Sequence, residues 1–212
     1  YFNTMLFHDL IEHYRISASP SVVRYVLKRV MNNLTKPTSV NAIYNELKSQ
    51  GMKVSKDSLY QWLDYACNIF MFYRVPKYTK SLVKENTALP KYYMADIGLR
   101  TSVLLPQSED EGKALENVFY MMLQRTLGED ERIFYFHDSE ECDFVVQRGD
   151  QVTELLQVCW TLDTSNTERE VRGLLAASAF TGCTNCKIIT HNQQTSIQQG
   201  DLTIEVLPVW RM

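Results

Sequence analysis

The apolar period of this chain changes along its length, and that change limits the folds open to it. Up to about residue 69 apolar residues recur at helical spacing, whereas over Phe70–Tyr78 and Lys91–Ala95 the period changes to the two of a strand. Met5, Leu6, Leu10 and Tyr14 predict a helix ending near Ser17. Ser19 and Pro20, a cap residue and a residue suited to the first helical turn, predict a second helix to about Leu34. Ser39 is expected to cap a helix over Val40–Gln50 that Gly51 closes. Leu59, Trp62, Leu63 and Ala66 share one face of a further helix from Lys56 to about Ile69. Phe70–Tyr78 and Lys91–Ala95 then read as two strands separated by a polar, lysine-bearing tip, Thr79–Pro90. Helices followed by a hairpin predict a winged helix over residues 19–104, with residues 1–18 as a linker helix or tail.

The acidic stretch Ser108–Gly112 is expected to mark a boundary. Beyond it, Leu115, Val118, Phe119, Met122 and Leu123 predict a helix over Lys113–Leu127. Three short strand patterns follow, Ile133–His137, Cys142–Gln147 and Thr153–Trp160, with Gly149-Asp150 turning between the last two. A helix over Thr167–Phe180 and strands at Lys187–Thr190 and Leu202–Val209 complete a mixed α/β domain over residues 105–212.

Charge divides the chain at the same place. Residues 20–100 carry 13 Lys/Arg against 5 Asp/Glu, a net +8, and residues 101–212 carry 8 against 18, a net −10. The first part suits a polyanionic partner, and the second by itself repels one. No apolar run reaches the ~18 residues that a membrane span needs. The opening Tyr1-Phe2-Asn3-Thr4-Met5 lacks a basic stretch followed by an apolar one, so no signal peptide is expected. It also lacks an initiator Met, and the chain is expected to be a piece of something longer. Five cysteines, an odd number without a disulfide-like framework, point to the reducing cytoplasm. Cys183 and Cys186 form a single CxxC with no second ligand pair, which reads as a turn ahead of a strand rather than a zinc site.

In a helix-turn-helix the second helix of the pair presents its amino end to DNA. Lys53, Ser55, Lys56, Ser58 and Gln61 occupy that end here, and Lys77, Lys80 and Lys84 would sit on the wing against the adjoining phosphates. Asp57 and Asp64 on the same helix work against a DNA face. Two readings follow: contact with double-stranded DNA, or docking of a protein partner, for which the acidic half is an intramolecular candidate.

The acidic half has the frame of a metal-dependent nuclease of the PD-(D/E)XK type. Such sites set an Asp at one strand end and Glu-x-Lys on the next strand, so that carboxylates hold a divalent metal and the Lys orients water. Asp143 stands at the first position, and Glu116 on the preceding helix would complete the acidic set. Gln157 and Cys159 stand where the Glu and Lys belong. Gln157 offers oxygen without charge, Cys159 cannot replace an ammonium, and Glu154 is expected on the other sheet face. Two carboxylates hold Mg²⁺ weakly. The expectation is therefore a retained fold with a silent site, the rival being a Mg²⁺- or Mn²⁺-dependent nuclease with an altered site.

The segments Tyr1–Thr4, Val54–Tyr60, Phe72–Tyr78, Tyr93–Arg100, Gly112–Asn117, Cys142–Val145 and Leu156–Cys159 together resemble a family of proteins predicted to be prokaryotic ATPases. Its members join an AAA-like P-loop domain to a carboxy-terminal domain of unknown function with a restriction-endonuclease-like fold. The resemblance implies an upstream ATPase domain in a parent chain, with ATP and Mg²⁺ bound there. It also implies that Gln157-Val158-Cys159 is a degenerate nuclease motif. No G-x-x-x-x-G-K-[ST] occurs here, so this chain is expected to hold no cofactor and to turn over no ATP.

Overall fold

The protein is described by a computed structural model covering residues 1–105 and 110–212. It has mixed α/β structure in two compact units: residues 1–74 with 89–105, and residues 75–88 with 110–212. Ser108 and Glu109 of the expected boundary lie outside the described residues.

The first unit is built on helices. A short α1 (Phe2–Thr4) runs into a π-helix (Met5–Glu12) whose Leu6 and Leu10 are fully buried. Residues 1–18, expected as a linker or tail, thus contribute Phe2, Leu6 and Leu10 to the core. Arg15 ends this stretch in the left-handed region, at φ +52°, as the Ile16 N–H bonds the Ile11 carbonyl. Helix α2 (Pro20–Asn32) opens on proline, whose ring presets a helical φ. Helix α3 (Val40–Ser49) starts where the Ser39 hydroxyl accepts from the Ala42 N–H, and Gly51 at φ +74° follows its end. Helix α4 (Lys56–Asn68) is capped by Ser55 and buries Leu59, Trp62, Leu63 and Ala66, the face expected from their spacing.

Strand β1 (Phe72–Val75) leads away to α5 (Leu82–Thr87), and the chain returns along β2 (Lys91–Met94), which pairs with β1. The Thr35 and Thr38 N–H groups donate to the Tyr92 and Pro90 carbonyls, tying β2 to the α2–α3 connection. Asp96 caps α6 (Ile97–Val103), whose buried Arg100 donates to the Met31 carbonyl in the last turn of α2. A cation is favoured there, where helix carbonyls lack partners.

The second unit is a six-stranded sheet in the order β3-β4-β5-β6-β8-β7. Helix α7 (Asp110–Thr126) sets Phe119 and Tyr120 against the Phe144 ring. Strands β3 (Glu131–His137), β4 (Glu141–Arg148) and β5 (Gln151–Val158) form the expected antiparallel meander, with Gly149 at φ +58° in the last turn. Helix α8 (Thr167–Thr181) then crosses to β6 (Cys186–Thr190), which pairs parallel with β5. A further strand, β7 (Thr195–Gln199), precedes β8 (Leu202–Pro208), which lies parallel to β6. Strand β7 was not anticipated because it is an edge strand with only Ile197 half-buried, so no apolar alternation marks it. Among the described residues no helix is long and apolar enough to cross a membrane.

The lysine-bearing tip differs from its expectation as a loop. Residues 75–88 belong to the second unit, where the Tyr78 N–H donates to the Tyr135 carbonyl at 2.7 Å and the Tyr135 N–H to Pro76 at 3.1 Å. Tyr78 meets Phe134 and Phe180 edge-on, and Glu85 on α5 pairs with Arg132 of β3 at 2.7 Å. Aromatic burial outweighs the polar composition that had suggested an open loop.

Helix α8 reaches the sheet through Gly173. A Cβ there would stand 2.0 Å from the Glu141 carbonyl oxygen of β4, a backbone atom that cannot swing aside. Gly173→Ala therefore has to lift α8 off β4 and is expected to cost roughly 1–3 kcal/mol of stability. Urea unfolding of the two proteins side by side measures this; an alanine variant at wild-type stability contradicts the close approach.

Candidate functional site

Two places collect several of the residues singled out from the sequence, one in each unit. In the second unit, alternation along β5 turns Leu155, Gln157 and Cys159 toward α8 and Glu154 to the opposite face. Glu154 duly pairs with Lys187 of β6 on that side. Gln157 lies between two partners: its Oε1 accepts from the Asp143 N–H at 3.1 Å, and its Nε2 donates to Glu170 Oε2 at 2.7 Å. Asp143 Oδ2 accepts from the Val158 N–H at 3.0 Å, while Arg169 Nε reaches Glu170 Oε1 at 3.1 Å. Asp143, Gln157 and Glu170 are all buried, Glu170 to 1 % exposure.

The structure thus brings Asp143 and Gln157 together and adds Glu170 and Arg169, which sequence reasoning missed. Glu170 sits in a Glu-Arg-Glu run on a helix, where a carboxylate ordinarily reads as solvated. The close approach of α8 at Gly173, where a Cβ would lie 3.7 Å from Gln157 Oε1, is consistent with its burial. Glu116 is buried on α7. Cys159 is buried, and burial, with Glu170 and then Asp143 nearby, pushes its thiol up to about 12. Cys159 therefore stays a neutral thiol at physiological pH, neither a nucleophile nor a substitute for lysine. Among the described residues no three His, Cys, Asp or Glu side chains are grouped to hold a metal ion.

In the first unit, Lys53, Ser55, Ser58 and Gln61 line a groove of about 830 Å³ at the amino end of α4. Tyr14, Arg15, Tyr44, Lys48 and Tyr65 are also among its lining residues. The Ser55 hydroxyl accepts from the Ser58 N–H at 3.0 Å and lies 2.8 Å from the Ser58 hydroxyl, so both serines serve the helix cap. Lys56 does not line the groove directly, and its ammonium sits 5.3 Å above the Tyr44 ring. Arg15 and Lys48 were missed because one ends the amino-terminal segment and the other ends α3, with no shared motif to join them to Lys53.

The three tip lysines belong to the second unit. Lys77 makes a short parallel bridge with Tyr135, Lys80 stands 4.9 Å over the Phe180 ring, and Lys84 is exposed on α5.

These two units, one helical with a strand pair and one a mixed sheet flanked by helices, define a mixed α/β protein. The chain belongs to the family described as a domain of unknown function (DUF8612), which matches residues 1–110. It is 27% identical over 220 residues to an uncharacterized protein of Methanocaldococcus jannaschii, covering 100% of this chain and 48% of that protein. An uncharacterized protein of Haemophilus influenzae is 26% identical over 155 residues, covering 71% of this chain and 37% of that one. The chain spans about half, or less, of the length of these curated relatives. No solved structure matches it.

Two outcomes follow from the buried network. Glu170→Ala removes the acceptor of the Gln157 amide and is expected to destabilise the protein by roughly 1–3 kcal/mol, read from thermal or urea unfolding. Cys67, Cys142, Cys159, Cys183 and Cys186 are free, and burial raises every one of their thiols. Near pH 8 a thiol-specific chromophore should react slowly with the native protein and fully only after denaturation; rapid labelling of Cys159 in the native state contradicts the closed site.

Proposed function

We propose that this chain is the non-ATPase carboxy-terminal module of a larger cytoplasmic AAA-like ATP-binding protein. It contacts DNA through a winged-helix-like first unit and carries a restriction-endonuclease-like second unit that is catalytically silent. The observation that carries the reading is Gln157: both ends of its amide are committed, to the Asp143 N–H and to Glu170. In the nuclease frame this position supplies an anionic oxygen to a metal, and the next lysine serves the attacking water. Here the first is neutral and engaged, and the second is the buried, protonated thiol of Cys159. Such a network favours a rigid scaffold over hydrolysis.

The greater length of the relatives agrees with a longer parent chain. The Methanocaldococcus jannaschii protein, matched by the whole of this chain over 48% of its own length, leaves room for a P-loop domain and its ATP and Mg²⁺. The lysines at the amino end of α4, with Arg15 and Lys48 beside them, support contact with DNA rather than with a neutral partner.

A plasmid-nicking assay with Mg²⁺ and with Mn²⁺, run beside a DNA-binding titration over salt, tests both parts. The expected result is no cleavage, with binding that weakens from about 50 to about 200 mM salt as counterions are retaken. Metal-dependent nicking abolished by Asp143→Ala replaces the silent reading with an altered-site nuclease. Absence of DNA binding at low salt removes the DNA part and leaves docking of a protein partner.

A further inference from the structure

We propose that the groove at the amino end of α4 is a binding site for single-stranded nucleic acid rather than a face that enters a duplex; this rests on the DNA-contacting reading above and specifies its substrate. A helix that reads duplex DNA projects its amino-terminal side chains outward into a major groove about 12 Å wide. Here that end of α4 forms one wall of a concavity. Its volume of about 830 Å³ falls in the range of ligand sites, roughly 300–1,000 Å³. Two of the residues that would meet base edges, Ser55 and Ser58, are engaged with each other and with the helix cap.

The lining has the two components that single strands require, a track of cations and aromatic faces for unpaired bases. Arg15, Lys48 and Lys53 are exposed and form no ion pair among the described residues. None of the groove's lining residues is a carboxylate, although Asp57 and Asp64 occupy the same helix. Tyr14 and Tyr65 stack at 3.9 Å with planes 7° apart, both half-buried, and Tyr44 is half-buried in the same lining. A base presents a flat face that can extend this stack, and in a duplex that face is already covered by its neighbours.

The left-handed Arg15 supports the same assignment. A non-glycine residue at φ +52° is held in a sparsely populated conformation, and such strain collects at binding sites. The turn ends the amino-terminal segment between Tyr14 and Ile16, so stacking ring and cation enter the groove from successive positions.

The test uses the whole chain in fluorescence anisotropy, with a labelled oligo-dT of about 20 nucleotides and a duplex of the same length. The single strand should bind at least about tenfold more tightly at low salt. Lys48→Glu with Lys53→Glu should weaken it a further tenfold or more. It should also flatten the dependence on salt by roughly 1.4 in log–log slope, as expected for two lost phosphate contacts. Tyr14→Leu, which keeps apolar volume but loses the ring, should weaken single-strand binding with an unchanged slope, whereas Lys80→Glu in the other unit should leave it unaltered. Because the charged positions are exposed, circular dichroism should show these variants folded. Equal or tighter duplex binding overturns the single-strand assignment while the DNA-contacting reading stands. Single-strand binding indifferent to all the groove substitutions also overturns it. Failure of both nucleic acids to bind removes both readings.

Discussion

The second unit depends on one close approach, the passage of α8 over β4 at Gly173. No side chain fits between that α-carbon and the Glu141 carbonyl, so the helix lies nearer the sheet than any other residue at this position would permit. That proximity carries Glu170 into the interior and lets it receive the Gln157 amide. Remove the approach, and the buried carboxylate loses both its partner and its reason to be buried. The parallel pairing of β5 with β6 follows from the same crossover, because α8 is the connection between them.

Once the helix is seated, the polar groups beneath it have few choices. A buried carboxylate or amide left without partners costs more than its hydrogen bond returns. Asp143 answers the Val158 N–H, and Gln157 answers the Asp143 N–H and Glu170. Arg169, itself exposed, brings a positive charge to the otherwise buried Glu170. Low dielectric strengthens each of these contacts. The amide of Gln157 and the carboxylates of Asp143 and Glu170 are thereby joined in one buried network.

The first unit follows a different logic. Its core is made by helices whose apolar faces meet, and the amino-terminal segment joins them by burying Phe2, Leu6 and Leu10 in the same cluster. What this leaves outside is a cleft between helix ends lined by cations and tyrosines. Of the lysines that looked alike in the sequence, Lys53 lines that cleft, Lys56 covers Tyr44, and Lys80 covers Phe180 in the other unit. Their distribution also softens the charge contrast, since Lys77, Lys80 and Lys84 belong with the acidic unit.

The sequence by itself determined most of the longer elements and some of their caps, though not the short helices α5 and α6, and Ser19 makes no side-chain cap bond. Ser39 and Ser55 begin helices as their hydroxyls require, and the meander through β5 follows from period-two alternation broken at Gly149. It also determined that Glu154 and Gln157 face opposite ways, because strand geometry is local. It could not place β7, whose edge position needs no apolar alternation, nor the segment 75–88, whose destination depends on aromatic contacts with Phe134 and Phe180. Nor could it pick Glu170 from the other acidic residues of α8. Tertiary structure alone decided these, because burial of a charge and the joining of Arg15, Lys48 and Lys53 into one groove depend on distances between segments far apart in the chain.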